Sequence, residues 1–181
     1  LKVLEILTVK GGTNKIIEYF GPGCAELSCT GKGTITNMGA ELGATTSVFP
    51  FDQRMASYLR ATGRDEVANE AQKYQEYLTA DAEVEQNPEK YYDEVHEINL
   101  DELEPYIVGP HSPDFAREIS DLPEEVQREK YPPNIHACLI GSCTNSSYED
   151  IYKAAEVAKE ALKKGLKASV PFYVTPGSMQ V

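Results

Sequence analysis

The chain has 181 residues, 41% of them hydrophobic and 25% charged, a globular composition long enough for one domain or two small ones. Its 17 basic and 29 acidic side chains leave a formal charge of −12, a field that repels nucleic-acid backbones and speaks against that class of partner. No apolar run approaches the ~18 residues of a membrane span, which speaks against a membrane partner, and no secretory leader pattern occurs at Leu1, an absence that says nothing of the parent's targeting if the chain is internal.

Leu1, Val3, Leu4, Ile6 and Leu7 keep helical spacing, and Gly11-Gly12 predicts the end of that helix. Ile16-Ile17-Glu18-Tyr19-Phe20 is β-branched and aromatic, a strand stopped by Gly21-Pro22-Gly23. A helix is expected over residues 31–42 and a strand over 45–49. Residues 51–61 and 64–78 read as two helices parted by Thr62-Gly63, the second packing through a stripe of Val67, Ala71, Tyr74 and Leu78. Residues 79–91, polar with one proline, read as a surface loop, followed by short extended pieces at 95–100 and 103–107. Five prolines (Pro110, Pro113, Pro123, Pro132 and Pro133) predict extended connecting chain, with one helix near 124–130. A βαβ unit closes the chain: strand 135–140, helix 148–164 and strand 170–174. Its helix face is Tyr148, Ile151, Ala155, Ala158 and Leu162, Gly165 caps it, and a crossover of this kind joins parallel strands. The fold class is therefore α/β. Residues 1–100 form a first α/β domain, 101–134 a proline-rich connection and the start of a second, and 135–181 a truncated second domain. The acidic excess gathers at 81–104 and 114–130 as solvated surface.

Four cysteines, Cys24, Cys29, Cys138 and Cys143, show neither a C-x-x-C pair nor zinc-finger spacing. A long, apolar, leaderless chain makes a disulfide framework unexpected and a reducing compartment the fitting one. Cys138 falls in an apolar strand and reads as core, and Cys24 as a loop residue. Cys143 differs. It lies in Gly141-Ser142-Cys143-Thr144-Asn145-Ser146-Ser147, between the apolar run 135–140 and the helix that follows. The carboxyl ends of strands are where open α/β sheets bind ligands, and amides and hydroxyls at a helix start favour thiolates. Ser28-Cys29-Thr30 echoes Ser142-Cys143-Thr144, but three residues do not make a repeat.

Asn37 and Glu41, four apart on the expected helix 31–42, share one face bordered by Gly33, Thr34, Gly39 and Ala40, small enough for a bulky ligand to approach. An amide and a carboxylate there can orient a substrate hydroxyl or move its proton; an isolated Asn-x-x-x-Glu is more often solvated helix surface. Ser47 reads as a strand decoration. His96 reads as solvent-facing and His136 as the start of a buried strand. Gly31-Lys32-Gly33 lacks the spacing of a phosphate loop.

Residues 141–150 and the stretch Thr34-Ile35-Thr36-Asn37-Met38-Gly39-Ala40-Glu41-Leu42-Gly43-Ala44-Thr45-Thr46-Ser47-Val48-Phe49-Pro50 together resemble the aconitase family, over essentially the whole chain. Val108 and His111 depart from the Asn and Phe usual in its mitochondrial-type members. Aconitases are several times longer, so the resemblance implies an internal piece, with two small three-layer units and mainly parallel sheets. It implies that Cys143 is one of three cysteines holding a [4Fe-4S] cluster, and that Asn37 and Glu41 face the cluster and a tricarboxylate substrate. One cluster iron, not held by cysteine, acts in that family as a Lewis acid during citrate–isocitrate interconversion through cis-aconitate. The other two cysteines belong to a later Cys-Gly-Pro-Cys segment with no counterpart here, so the piece is expected to hold no cluster and to be inactive alone. The resemblance places the parent in a bacterial cytoplasm or a mitochondrial matrix.

Two other readings compete. A related hydroxy-acid dehydratase, of homoaconitate or isopropylmalate type, differs in residues largely outside this chain, and the chain could be a non-catalytic α/β domain in its own right. Cys143 as a covalent nucleophile needs a nearby base. His136, seven residues back along an extended run, is poorly placed for that.

Overall fold

The computed structural model describes residues 1–181 as two compact units, Leu1–Glu118 and Ile119–Val181. In the first, helix α1 (Lys2–Leu7) buries Leu4, 1% exposed, and stops well before the expected Gly11-Gly12. Thr8 takes φ 60° at its C-cap, and Asp114 Oδ2 accepts the Val9 amide at 3.0 Å, so the chain leaves the helical path early. Strand β1 (Ile16–Glu18) follows, and then a short helix α2 (Gly23–Glu26).

Helix α3 (Cys29–Asn37) starts at Ser28, whose hydroxyl accepts the Gly31 amide at 3.0 Å. It leads to β2 (Thr46–Val48), parallel to β1 in the register Ile16↔Thr46, Ile17↔Ser47, Glu18↔Val48. The rings of Tyr19 and Phe49, one residue past each strand, stack at 4.4 Å. Leu42, 2% exposed, packs on Gly12, where an added Cβ would lie 2.5 Å from Leu42 Cδ1.

Helices α4 (Gln53–Ala61) and α5 (Asp65–Lys73) pack together. Each has one fully buried residue, Ala56 and Ala68. The expected stripe is corrected here: Val67, Tyr74 and Leu78 are exposed, because the helices approach through alanine and leave larger side chains outside. Residues 79–91 also depart from the loop expected. They form α6 (Ala82–Gln86), with Glu83 and Glu85 in its first turn, and α7 (Pro88–Tyr91), with Pro88 at its start.

No strand forms over 95–100, since each sheet has two strands and none reaches that segment. The extended piece expected at 103–107 falls at β3 (Tyr106–Val108), antiparallel to β4 (Ala116–Glu118). Pro110 and Pro113 lie in the hairpin loop, where a missing N–H costs no ladder bond. Lys2 Nζ donates to Tyr106 Oη at 3.0 Å, tying α1 to this hairpin.

The second unit opens with a 3₁₀ turn (Ile119–Asp121) that leads into α8 (Leu122–Glu129), ended by Lys130 at φ 57°. Strand β5 (Cys138–Ile140) pairs in parallel with β6 (Phe172–Val174), and α9 (Tyr148–Lys163) connects them. The short strand leaves Ile135 and His136 before it and exposed, and Cys138 only half-buried, so none of the three belongs to a buried core. On α9 the half-buried residues include Ile151, Ala154 and Ala161, whereas Tyr148, Ala155, Ala158 and Leu162 are exposed. Two three-residue strands are too small to cover the wider face expected. The C-cap of α9 is Lys164, and Gly165, expected as the cap, follows it at φ 72°. No helix is long and apolar enough to cross a membrane.

Candidate functional site

The turn bearing Cys143 is set by its two ends. Strand β5 delivers the chain to Gly141, and Ser142 then adopts φ 81°. The far end is a reciprocal cap on α9: Ser147 Oγ accepts the Asp150 amide at 3.2 Å, and Asp150 Oδ2 accepts the Ser147 amide at 3.1 Å. Ser146, 7% exposed, donates its hydroxyl to the Ser142 carbonyl. Cys143 is exposed, its sulfur 3.6 Å from Thr144 Oγ1. The other three cysteines are half-buried, and no disulfide forms. Burial pushes the Cys24 and Cys29 thiols up, so Cys29 shares a tripeptide with Cys143 but not its accessibility.

In the first unit, Asn37 is exposed as the last residue of α3. The helix expected to continue to Leu42 tightens into a 3₁₀ turn over Met38–Ala40, so Asn37 and Glu41 do not share one regular helix face. Glu41 follows that turn, half-buried, its amide bonded to the Met38 carbonyl at 3.2 Å. Its Oε2 is shielded from solvent and has no hydrogen-bond partner. An acceptor left so costs about 1–3 kcal/mol and is available to a donor that enters. Asn37 borders a cleft of about 350 Å³ with Gly39, Ala40, Ala44, Thr46 and Ser47.

Ser47 is more than decoration. Its Oγ is buried without a partner, and a Cβ on Gly39 would come within 2.7 Å of it. Gly39 therefore lets the tight turn lie directly on β2. Sequence reasoning also passed over Lys32, 2% exposed, whose ammonium pairs with Asp52 and lies 5.9 Å from the centroid of the Phe49 ring. Asp52 accepts the Met55 amide at 2.9 Å as the N-cap of α4. Burial pushes its carboxyl up, but the Lys32 hydrogen bond and the Met55 amide outweigh that and hold it below the usual carboxylate value. The only sequence signal was a lysine between two glycines.

No group of three His, Cys, Asp or Glu side chains converges to hold a metal ion. Cys143 can offer one thiol from its turn, one of the roughly three or four that an iron–sulfur cluster takes.

Parallel βα units, a thiol presented where a strand turns into a helix, and a small-residue turn beside an amide and a carboxylate make this an α/β protein. The model of the aconitase family (aconitate hydratase) matches residues 1–181, and the chain belongs to that family. It is 56% identical over its full length to "Probable aconitate hydratase, mitochondrial" of Caenorhabditis elegans, covering 22% of that protein. With "Aconitate hydratase, mitochondrial" of Gracilaria gracilis the identity is 55% over the whole chain and 22% of the relative. The corresponding protein of Saccharomyces cerevisiae is 52% identical, with 23% covered. The chain thus spans less than a quarter of the length of these relatives.

Proposed function

We propose that this chain is part of an aconitate hydratase that interconverts citrate and isocitrate through cis-aconitate in the mitochondrial matrix. The observation that carries the reading is the family match over all 181 residues, which takes in both the Cys143 turn and the Asn37–Glu41 turn. Cys143 is one cysteine ligand of a [4Fe-4S] cluster whose other two lie outside this sequence. When bound, the cluster supplies Lewis acidity toward substrate oxygens rather than electron transfer.

The chain's own residues do the rest. Asn37, exposed at the cleft, holds a substrate oxygen through its amide. Glu41 accepts a hydroxyl proton at Oε2, the oxygen that lacks a partner and is shielded from water, where a hydrogen bond is worth more than in solvent. The small residues Gly39 and Ala40 keep the approach open. The 181-residue chain alone holds no complete cluster and turns over no substrate.

The test is an assay of the longer enzyme with citrate, homocitrate and isopropylmalate, alongside iron and sulfide analysis of this chain. Preference for citrate, no stoichiometric cluster in the short chain, and a kcat loss of about 10²–10⁴ for Glu41→Gln are expected. Preference for either other substrate overturns the assignment. Isomerase activity of the short chain overturns the division of the cluster site.

A further inference from the structure

We propose that Thr175 and Gly177, in the segment after β6, are positioning residues that fix the Cys143 turn before any cluster is bound. The proposal extends the reading of Cys143 as a ligand to the elements that aim its sulfur.

A seven-residue turn between a strand and a helix has many conformations, and a ligand that must adopt one of them loses that freedom on binding. Here the turn is held from outside. The Thr175 amide donates to the Ile140 carbonyl at 2.9 Å, carrying the β5–β6 ladder one residue past Val174. Gly141 sits at φ 149°, and a Cβ there would collide with Thr175 Oγ1 and lie 2.7 Å from the Thr175 carbonyl oxygen. The two loops are therefore in contact at the point where the turn begins.

The second brace comes near the end of the turn. The Gly177 amide donates to the Ser146 carbonyl at 3.0 Å, and a Cβ on Gly177 would come within 2.7 Å of Ser146 Oγ and 3.0 Å of Ser146 O. That same Ser146 hydroxyl donates to Ser142, the residue before Cys143. A continuous relay thus runs from Gly177 through Ser146 to the backbone carrying the thiol. Pro176, between the two donors, has no N–H to leave unsatisfied and restricts the segment's own backbone. None of the three offers a strong metal-ligating group, so any effect on a cluster acts through Cys143.

The experiment uses the isotope-labelled 181-residue chain and two variants, Gly177→Ala and Ser146→Ala. It reads the Cys143 ¹³Cβ resonance, the rate of Cys143 reaction with p-hydroxymercuribenzoate, and amide exchange at residues 175 and 177 and in α9. Gly177→Ala should shift or broaden the Cys143 resonance, change its mercurial rate more than threefold and speed exchange at residue 177 at least tenfold. Ser146→Ala keeps the carbonyl that accepts from Gly177, so exchange at 177 should stay slow while the Cys143 signals still move. Protection of the Ile151 and Ala154 amides should persist; if Gly177→Ala loses it, Ser146→Ala alone decides. A Cys143 resonance and rate unchanged in the variants that keep α9 folded overturns the proposal. These readouts need no cluster and no substrate, so failure of the aconitate hydratase reading would not alter them.

Discussion

Replacing Lys32 with Met removes the ammonium that Asp52 meets at the start of α4, while an unbranched apolar side chain keeps the space filled. Breaking a fully buried pair costs about 3–5 kcal/mol, whereas an exposed pair is worth about 0–1 kcal/mol. This pair lies between the limits: the Lys32 side chain is 3% exposed and that of Asp52 23%. Asp52 also retains the Met55 amide at 2.9 Å, so its charge is not stranded when the lysine goes. We expect a loss of about 2 kcal/mol, or ~8 °C in melting temperature for a unit of this size. Asp52→Asn removes the charge but keeps an equally good cap, so the double variant isolates the pair. Urea denaturation of the four chains at pH 7 should give a coupling of about 2 kcal/mol. The pH dependence has a fixed sign. Because folding lowers the Asp52 value from 3.8, the stabilisation is complete above that value and is lost as pH falls through the still lower folded one. A coupling below about 0.5 kcal/mol at pH 7, or one that persists undiminished in strong acid, refutes the reasoning.

Ser147→Ala deletes one half of the reciprocal cap and should destabilise α9 by about 1 kcal/mol, read from thermal melts followed by circular dichroism. Ala68→Leu forces extra volume into a fully buried contact between α4 and α5 and should cost about 1–3 kcal/mol, whereas Val67→Ala, on the exposed side, should cost less than about 0.5 kcal/mol. Burial, with Glu18 adding to it, pushes the Tyr92 phenol up to about 12. In an ultraviolet titration Tyr92→Phe should therefore remove a late-ionising tyrosine and leave the transition near pH 10 intact.

Periodicity read the segments that bury their own side chains and failed where a distant partner decides. The parallel pairs β1–β2 and β5–β6, with α3 and α9 between them, were legible because β-branched runs, glycine stops and helical spacing agreed. The β3–β4 hairpin was not, since its prolines look like a linker until its loop is seen to hold them. Val95 and Ile98 have the pattern of a strand but no neighbour to bond with. Apolar spacing on α5 pointed to Val67, whereas the packing surface is Ala68, a residue too small to stand out. At the candidate site, Cys143, Asn37 and Glu41 were visible as residue types in a setting. Three things were not: the 3₁₀ turn between Asn37 and Glu41, the pressing of Gly39 on Ser47, and the burial of Lys32. Each depends on a contact between segments that sequence spacing does not encode.

The tie between α1 and the β3–β4 hairpin has a consequence during synthesis. Lys2 meets Tyr106 across 104 positions, and Val9 meets Asp114 across 105. Helix α1 has six residues, too few to persist in water by itself. At ordinary translation rates of ~5–20 residues per second, the hairpin emerges about 5–20 s after α1. During that interval Leu4, Ile6 and Leu7 travel as an unfolded apolar segment, open to any chaperone that recognises one. The first unit should therefore close as a whole only when β4 leaves the ribosome, and truncation just before residue 106 should abolish its cooperative unfolding rather than merely weaken it.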